Sequence, residues 1–538
     1  MTRPTQQHPV AIVGAGPGGL ASAMLLAASG VPVRVYEAQQ RVGGRTSRLT
    51  LRGGPGEFHF DLGPTFFLMP YVLDEIFNAA GGRLADACEL VRLDPMYRLV
   101  LGRPDREAIV LDATQDVAEM ARRVGEIDPH DGAAFARFIA DNRAKLAATE
   151  PILRRSITGP ADLVQPDALR ALPHINPHLS VHGLLSRYFR HPQVRLALGF
   201  QSKYLGMSPR DCPSLFTILP FIEYEYGVWH VRGGLNRIMA AMASAAMDMG
   251  VEIRTDAPVE RLRFDGRRVT GVVVDGQAHD HPHVVLNADA PWALKNLLPP
   301  EALSRVRGYT SPQRIDAKRY SCSTAMLYLG LEGPVDLPHH TIYVSARYER
   351  NLEEISTLGT LSEDPSAYCC NPVATDPAMA PAGCSALYVL MPTPNTQSGL
   401  DFHAQRGTVR DLALEQVEGV FGVEGVRERI LCEHAITPAD WQAMNINHGA
   451  TFNLAHNLGQ LLHKRPQHKL QGLDGVWVVG GGTHPGSGLP VIFLSSQITA
   501  RLLCERLGVR YAGGRAGVGL PDRAHADARA TPAPMAMA

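Results

Sequence analysis

The sequence predicts an α/β fold that opens on a Rossmann-like β-α-β unit. Three observations carry that expectation. Residues 10–13 (VAIV) have the pattern of a short buried strand, and the glycine-rich turn 14–19 follows directly. The Ala- and Leu-rich stretch 20–29 then reads as a helix. Residues 31–37 (VPVRVYE) alternate as a second strand and close a unit of ordinary length. The apolar stretch 9–35 is therefore expected to be folded: Gly14, Gly16, Gly18 and Gly19 interrupt it, and no basic segment and cleavage site frame it as a leader.

Further along, residues 117–124 and 132–145 carry helical patterns, and proline punctuates 151–177, so 90–226 reads as largely helical with little sheet. Sheet signals return late. Residues 251–264 and 269–274 read as strands joined by the turn Asp265-Gly266, and 284–287 and 476–479 are short apolar runs ending in turn residues. Residues 322–331 and 386–391 suggest a second sheet. The expected organisation is a nucleotide-binding domain assembled from 1–90, 231–300 and 451–511, a helical insertion at 91–230, and an α+β substrate domain at 301–450. The Gly-, Ala- and Pro-rich tail 512–538 is expected to be disordered.

A chain of 538 residues is long enough for two domains with insertions. Its 52 basic and 53 acidic residues nearly cancel, so no net field favours nucleic acid. The eight cysteines form no CxxC pair and fit reduced, mostly buried thiols, the neighbours Cys369 and Cys370 included. No segment has the 18 to 20 uninterrupted apolar residues, roughly, of a membrane-spanning helix.

Gly14-Ala15-Gly16-Pro17-Gly18-Gly19 supplies GxGxxG between strand and helix, where side chains are absent and main-chain N–H groups can meet a diphosphate. Glu37 ends the second strand, placed to accept hydrogen bonds from ribose hydroxyls. NAD and FAD share that fingerprint. The run Arg41-Val42-Gly43-Gly44-Arg45-Thr46 separates them, since it resembles the RxGGR doublet of the GR2 flavoproteins, in which main chain and Arg45 would contact the FAD diphosphate. Asp61-Leu62-Gly63-Pro64-Thr65 is similar to that family's next turn, which brings Gly63 and Pro64 to the flavin. Near the C-terminus, Gly480-Gly481-Gly482-Thr483-His484-Pro485-Gly486-Ser487-Gly488-Leu489-Pro490 leads into an apolar helix. Gly482, Gly488, Leu489 and Pro490 are expected beside the flavin, where a helix N-terminus would stabilise the reduced ring. Val259 joins these cofactor contacts, and His484 is expected to be structural or to touch the flavin rather than to act as a base.

In particular the chain resembles the bacterial and fungal-type phytoene desaturases, carotenoid desaturases of the GR2 and amine oxidase superfamily. GAGPGGL, the stretch 37–45, FDLGPT, GVWHVRGGL (227–235), VLNADAP (285–291), the Pro338-His339-His340 segment, the stretch 364–383 and GGGTHPGSGLP carry the match across residues 9–508. The resemblance implies FAD-dependent introduction of double bonds into an apolar polyene, with quinone or oxygen taking the electrons. It implies peripheral attachment to the cytoplasmic face of a membrane through the helical insertion, for which 186–191 (SRYFRH) mixes basic and aromatic residues. A homo-oligomer is left open, no metal is expected, and no catalytic side chain is assigned. Val491, Ile492 and Phe493 depart from the small residues usual after this glycine segment, which puts the substrate in doubt more than the reaction. The alternatives are a carotenoid isomerase or polyene saturase, an amine oxidase, and a non-catalytic prenyl-lipid-binding protein.

Overall fold

A computed structural model describes residues 8–104 and 108–514; the tail beyond 514 lies outside the described residues. The opening β-α-β is formed by strand Val10–Val13, helix Pro17–Ala28 and strand Val33–Tyr36. These strands sit inside a five-stranded parallel sheet with the order Val476–Val478, Val284–Leu286, Val10–Val13, Val33–Tyr36, Glu252–Arg254. Its central strands are buried along their whole length, which is why they read as continuous Val and Ile runs rather than alternating ones. Three stretches far apart in the chain thus supply one sheet.

Residues 251–264 form two strands rather than one. Glu252–Arg254 completes the parallel sheet, and Val259–Asp265 pairs antiparallel with Arg268–Val274 in a separate three-stranded sheet. Between them the chain turns through Asp256 at a positive φ of 51°. The hairpin turn Asp265-Gly266 forms as expected, with Gly266 at φ 58°.

The second sheet has seven strands, in the order Ile430–Ile436, Ser323–Glu332, Cys384–Thr393, Ala367–Cys370, His340–Val344, Tyr97–Leu101, Ile109–Ala113. Helix Arg406–Gly419 covers one face through Val409, Ala413, Leu414 and Val417. Phe58, Phe60, Tyr328 and Tyr388 pack on the other. The last two strands correct the expectation of little sheet in 90–226. Tyr97–Leu101 pairs parallel with His340–Val344, a partner no local pattern reveals.

The helices of the insertion include Val117–Ile127, Pro129–Leu153 and Pro166–Ile175. Asp116 and Asp128 cap the first two, each accepting from two main-chain N–H groups of the following turn. In the stretch 186–191 Phe189 is fully buried while Ser186, Arg187 and Arg190 are exposed, and the Arg190 and His191 N–H groups donate to Asp131 at 2.7 and 2.8 Å. Among the described residues no helix is long and apolar enough to cross a membrane.

One buried ionic cluster fastens the insertion to the nucleotide-binding half. Arg154 donates to both oxygens of Glu75, at 2.7 and 3.0 Å, and also to Glu150. Gln497 of helix Leu489–Leu507 donates to Glu75 at 3.0 Å, and Arg501 to the Arg154 carbonyl at 2.8 Å. Removing the cation strands two carboxylates in a largely closed space. Arg154→Leu is expected to cost roughly 3 to 5 kcal/mol, read as a lowered midpoint in urea unfolding.

Candidate functional site

The site grows from two glycine turns held against each other. Gly43 donates its N–H to the Ala15 carbonyl at 2.8 Å, and a Cβ built on Gly44 would lie 3.6 Å from the Gly16 Cα. Glycine is obligatory at Gly19, where a Cβ would stand 2.1 Å from the Gly14 carbonyl oxygen. Gly16 is the N-cap of helix Pro17–Ala28, and no side chain caps that helix start. Asn287, at the end of the neighbouring strand, donates to the Gly14 carbonyl at 3.1 Å, and its side chain fills the space beside Gly18.

Glu37 is almost fully buried. Its carboxylate accepts from Ala15 N–H at 2.7 Å and Gln39 N–H at 2.9 Å, which ties the end of the second strand to the first glycine turn. Burial raises its pKa, and those main-chain donors pull it back. Val259 opens the next strand nearby: the Ala257 N–H donates to the Glu37 carbonyl at 2.8 Å.

Arg45 reaches from the second turn to the C-terminal segment, donating to the Thr451 carbonyl. Burial lowers its pKa, and Asp289 opposes that shift. Asp289 is itself pushed up to about 6 by burial and caps helix Ala290–Leu297 through the Trp292 N–H at 3.1 Å. Gly63 packs on the same arginine, since a Cβ there would lie 2.7 Å from the Arg45 carbonyl oxygen. Tyr388 donates to the Gly63 carbonyl at 2.8 Å, so the turn that continues through Pro64 is pinned between arginine and the large sheet. Burial also pushes Asp61 up to about 7, against the N–H groups of Leu235 and Asn236.

The C-terminal turn arrives from the other side. Gly482 packs against Ala290, and Gly488 is the N-cap of helix Leu489–Leu507, with Pro490 in its first turn and no capping side chain. Ser496 of that helix donates to the Gly18 carbonyl at 2.9 Å, and Ile492 packs beside Gly18. The structure therefore brings both uncapped helix starts together. His484 donates from Nε2 to the Ile152 carbonyl at 2.9 Å, and burial lowers its pKa to about 4, so the ring is neutral and structural. Turns without side chains, converging main-chain donors and a buried carboxylate fit a dinucleotide carrying a diphosphate.

Asn287, Asp289, Thr451 and Ser496 were not among the expected site residues. The VLNADAP segment contains the first two, and an aspartate two residues before a proline at a helix start is a recognisable cap. Cys369 and Cys370 are buried free thiols; burial pushes Cys369 up to about 12 and raises Cys370 well above the usual thiol range, which fits packing rather than redox exchange.

Residues 17–504 match the family model for flavin-containing amine oxidoreductases. A 4,4'-diapophytoene desaturase (4,4'-diapolycopene-forming) of Methylomonas sp is 41% identical over 93% of this chain and 96% of its own. An all-trans-zeta-carotene desaturase of Myxococcus xanthus is 38% identical, over 93% and 94%. Among solved structures, an oxidoreductase from Methanosarcina mazei superposes with a TM-score of 0.60 at 16% identity, over 91% of this chain and 98% of that one. A redesigned putrescine oxidase has a TM-score of 0.60 at 17% identity, over 94% and 100%. Those two structures share the fold. With the family model matching most of the chain, from the start of the first helix into the last one, the chain belongs to the flavin-containing amine oxidoreductase family, and its cofactor is FAD.

Proposed function

We propose that the chain is an FAD-dependent carotenoid desaturase acting on an apolar polyene precursor of the phytoene or diapophytoene type. The observation that carries this is the 41% identity with a diapophytoene desaturase along 93% of the chain, against 17% with an amine oxidase. What FAD supplies when bound is a two-electron oxidant for an allylic C–H bond. The protein's part begins with holding it: Gly14, Gly16, Gly18 and Gly19 leave room for the diphosphate, Glu37 for a ribose, and Gly43, Gly44 and Arg45 close the second side. Gly63, Pro64, Gly482, Gly488, Leu489 and Pro490 would surround the ring, with the start of helix Leu489–Leu507 stabilising added negative charge. Val259 belongs to the adenosine side, beside Glu37.

The surroundings suit an uncharged hydrocarbon. Burial keeps His339, His340, His456, His468 and His484 below the usual histidine range, so these rings are neutral at physiological pH. Electrons leave to a quinone or to oxygen, and the protein acts as a peripheral enzyme on the cytoplasmic face of a membrane. A better docking surface than 186–191 lies at 160–175. There Val164 is 67% exposed and Leu169 and Leu172 49% each, beside exposed Arg170, an apolar face with a basic neighbour. This stretch follows Ile152 and Arg154 in the chain, whose carbonyls accept from His484 and Arg501 of the C-terminal turn and helix.

FAD-loaded protein incubated with phytoene or diapophytoene in liposomes is expected to yield products shorter by hydrogen pairs, separated by chromatography. Geometric isomers alone would make it an isomerase, hydrogenated products a saturase, and turnover confined to amines an amine oxidase. Glu37→Gln is expected to weaken FAD binding about tenfold or more, because hydrogen bonds to a charged acceptor are worth roughly 1.5 to 3 kcal/mol; fluorescence titration of the apoprotein measures this. Changing Val164, Leu169 and Leu172 together to Ser is expected to abolish flotation with liposomes while the flavin content stays unchanged. Flotation at the wild-type level would move the docking surface elsewhere.

A further inference from the structure

Desaturation takes a hydride from one carbon and a proton from its neighbour. The oxidised flavin of the proposed reaction receives the hydride, which leaves the proton to the protein. A proton acceptor in an apolar site is a side chain whose lone pair no hydrogen bond occupies.

His340 is such a group. It opens strand His340–Val344 and is fully buried. Its Nδ1 lies 2.7 Å from the Tyr368 hydroxyl, which in turn lies 2.7 Å from Thr65 Oγ1. Its Nε2 is enclosed and has no hydrogen-bond partner among the described residues. The network assigns the tautomer. With hydrogen on Nδ1, that N–H donates to Tyr368, and Tyr368 donates to Thr65. Only an acceptor lone pair on Nε2 is then left over, whereas the other tautomer buries an unpaired N–H.

Position follows from the same contacts. Thr65 ends the turn whose Gly63 packs on Arg45, and Tyr388 of the same sheet donates to the Gly63 carbonyl. His340 is thus two hydrogen bonds from the turn that closes the dinucleotide cradle. Phe66 stacks on its ring at 4.3 Å between centroids and 13° between planes, and Phe66 also borders Tyr97 and Tyr204. The imidazole is therefore part of a packed aromatic cluster. A stacked aromatic face steadies a cation, and the Tyr368 oxygen takes the Nδ1–H of the same ring. The neighbouring His339 is committed differently, with Nδ1 at 2.8 Å from Thr375 Oγ1.

We propose that His340 is the proton acceptor of the desaturation, with Tyr368 and Thr65 fixing its tautomer. This rests on the desaturase reading. Once the hydride has left, the C–H bond on the adjacent carbon breaks toward Nε2. Its electron pair becomes the second bond of the new double bond, and the ring becomes an imidazolium. A carbocation flanked by double bonds is a strong acid, so a weakly basic imidazole suffices; what matters is a free lone pair at the right carbon.

The test uses the full-length FAD-loaded protein and substrate in liposomes. Flavin absorbance and product formation by the wild type test the desaturase reading by themselves. Given both, His340→Gln is expected to keep its flavin spectrum and thermal midpoint while kcat falls about 100-fold and KM changes less than threefold. Imidazole added to His340→Ala is expected to restore at least tenfold of the lost rate, which repair of packing in a neighbouring site would not do. The inference is overturned if His340→Gln turns over at the wild-type rate, or loses its flavin. It is equally overturned if imidazole rescues nothing, or if Glu223→Gln, at a buried carboxyl with an unpartnered oxygen, reproduces the loss while His340→Gln does not. Stoichiometric zinc or copper in the freshly purified wild type would overturn it too, because the donors of His339, His340 and Cys370 lie within 4.8 Å of one another and Nε2 would then be a ligand.

Discussion

Main-chain contact between two turns governs this half of the molecule. The Gly43 N–H bonded to the Ala15 carbonyl, and the 2.1 Å that would separate a Gly19 Cβ from the Gly14 carbonyl, leave no room for side chains where the turns meet. Everything else is arranged around that closeness. Glu37 is drawn in because its carboxylate satisfies Ala15 and Gln39, groups a wider turn would leave to water. Asn287 takes the space beside Gly18, and Ser496 bonds the Gly18 carbonyl, so strand Val284–Leu286 and helix Leu489–Leu507 are locked to the first strand through one turn.

That closeness also sets the electrostatics. A site walled by main chain and aromatic rings is poorly solvated, and ionisable groups inside it shift toward neutrality. Asp289 and Asp61 are pushed up to about 6 and about 7, and His484 down to about 4. Arg45 retains a partner in Asp289, on the expected diphosphate side of the cradle. Toward the large sheet the polar atoms are hydroxyls and imidazoles in hydrogen-bonded chains, as in Thr65, Tyr368 and His340. The division suits a cofactor that is anionic at one end and a substrate that carries no charge.

The sequence made one class of feature legible and hid another. The opening β-α-β, the Asp265-Gly266 hairpin and the start of the last helix could be read because each depends on residues within one turn of each other. Strands Tyr97–Leu101 and Ile109–Ala113 could not, because their pairing depends on His340–Val344, and a short half-buried run beside helices carries no mark of a distant partner. Residues 251–264 read as one strand because nothing in their alternation signals the positive φ at Asp256. In the stretch 186–191 composition does not say which way Phe189 points, and packing turned that one ring inward while its basic neighbours stay exposed. In the site, glycines and Glu37 announced themselves by spacing, whereas Asn287 and Ser496 act through contacts that only the assembled sheet creates.

Assembly from distant pieces has a mechanical consequence. Helix Leu489–Leu507 begins beside the first glycine turn, through Ser496 and Gly18, and its Gln497 and Arg501 grip the end of the long helix Pro129–Leu153 through Glu75 and the Arg154 carbonyl. The exposed apolar patch at 160–175 starts only a few residues beyond that grip. Because helix Leu489–Leu507 presents its uncapped N-terminus to the site, the end of the long helix and the cofactor cradle are tied together through one element.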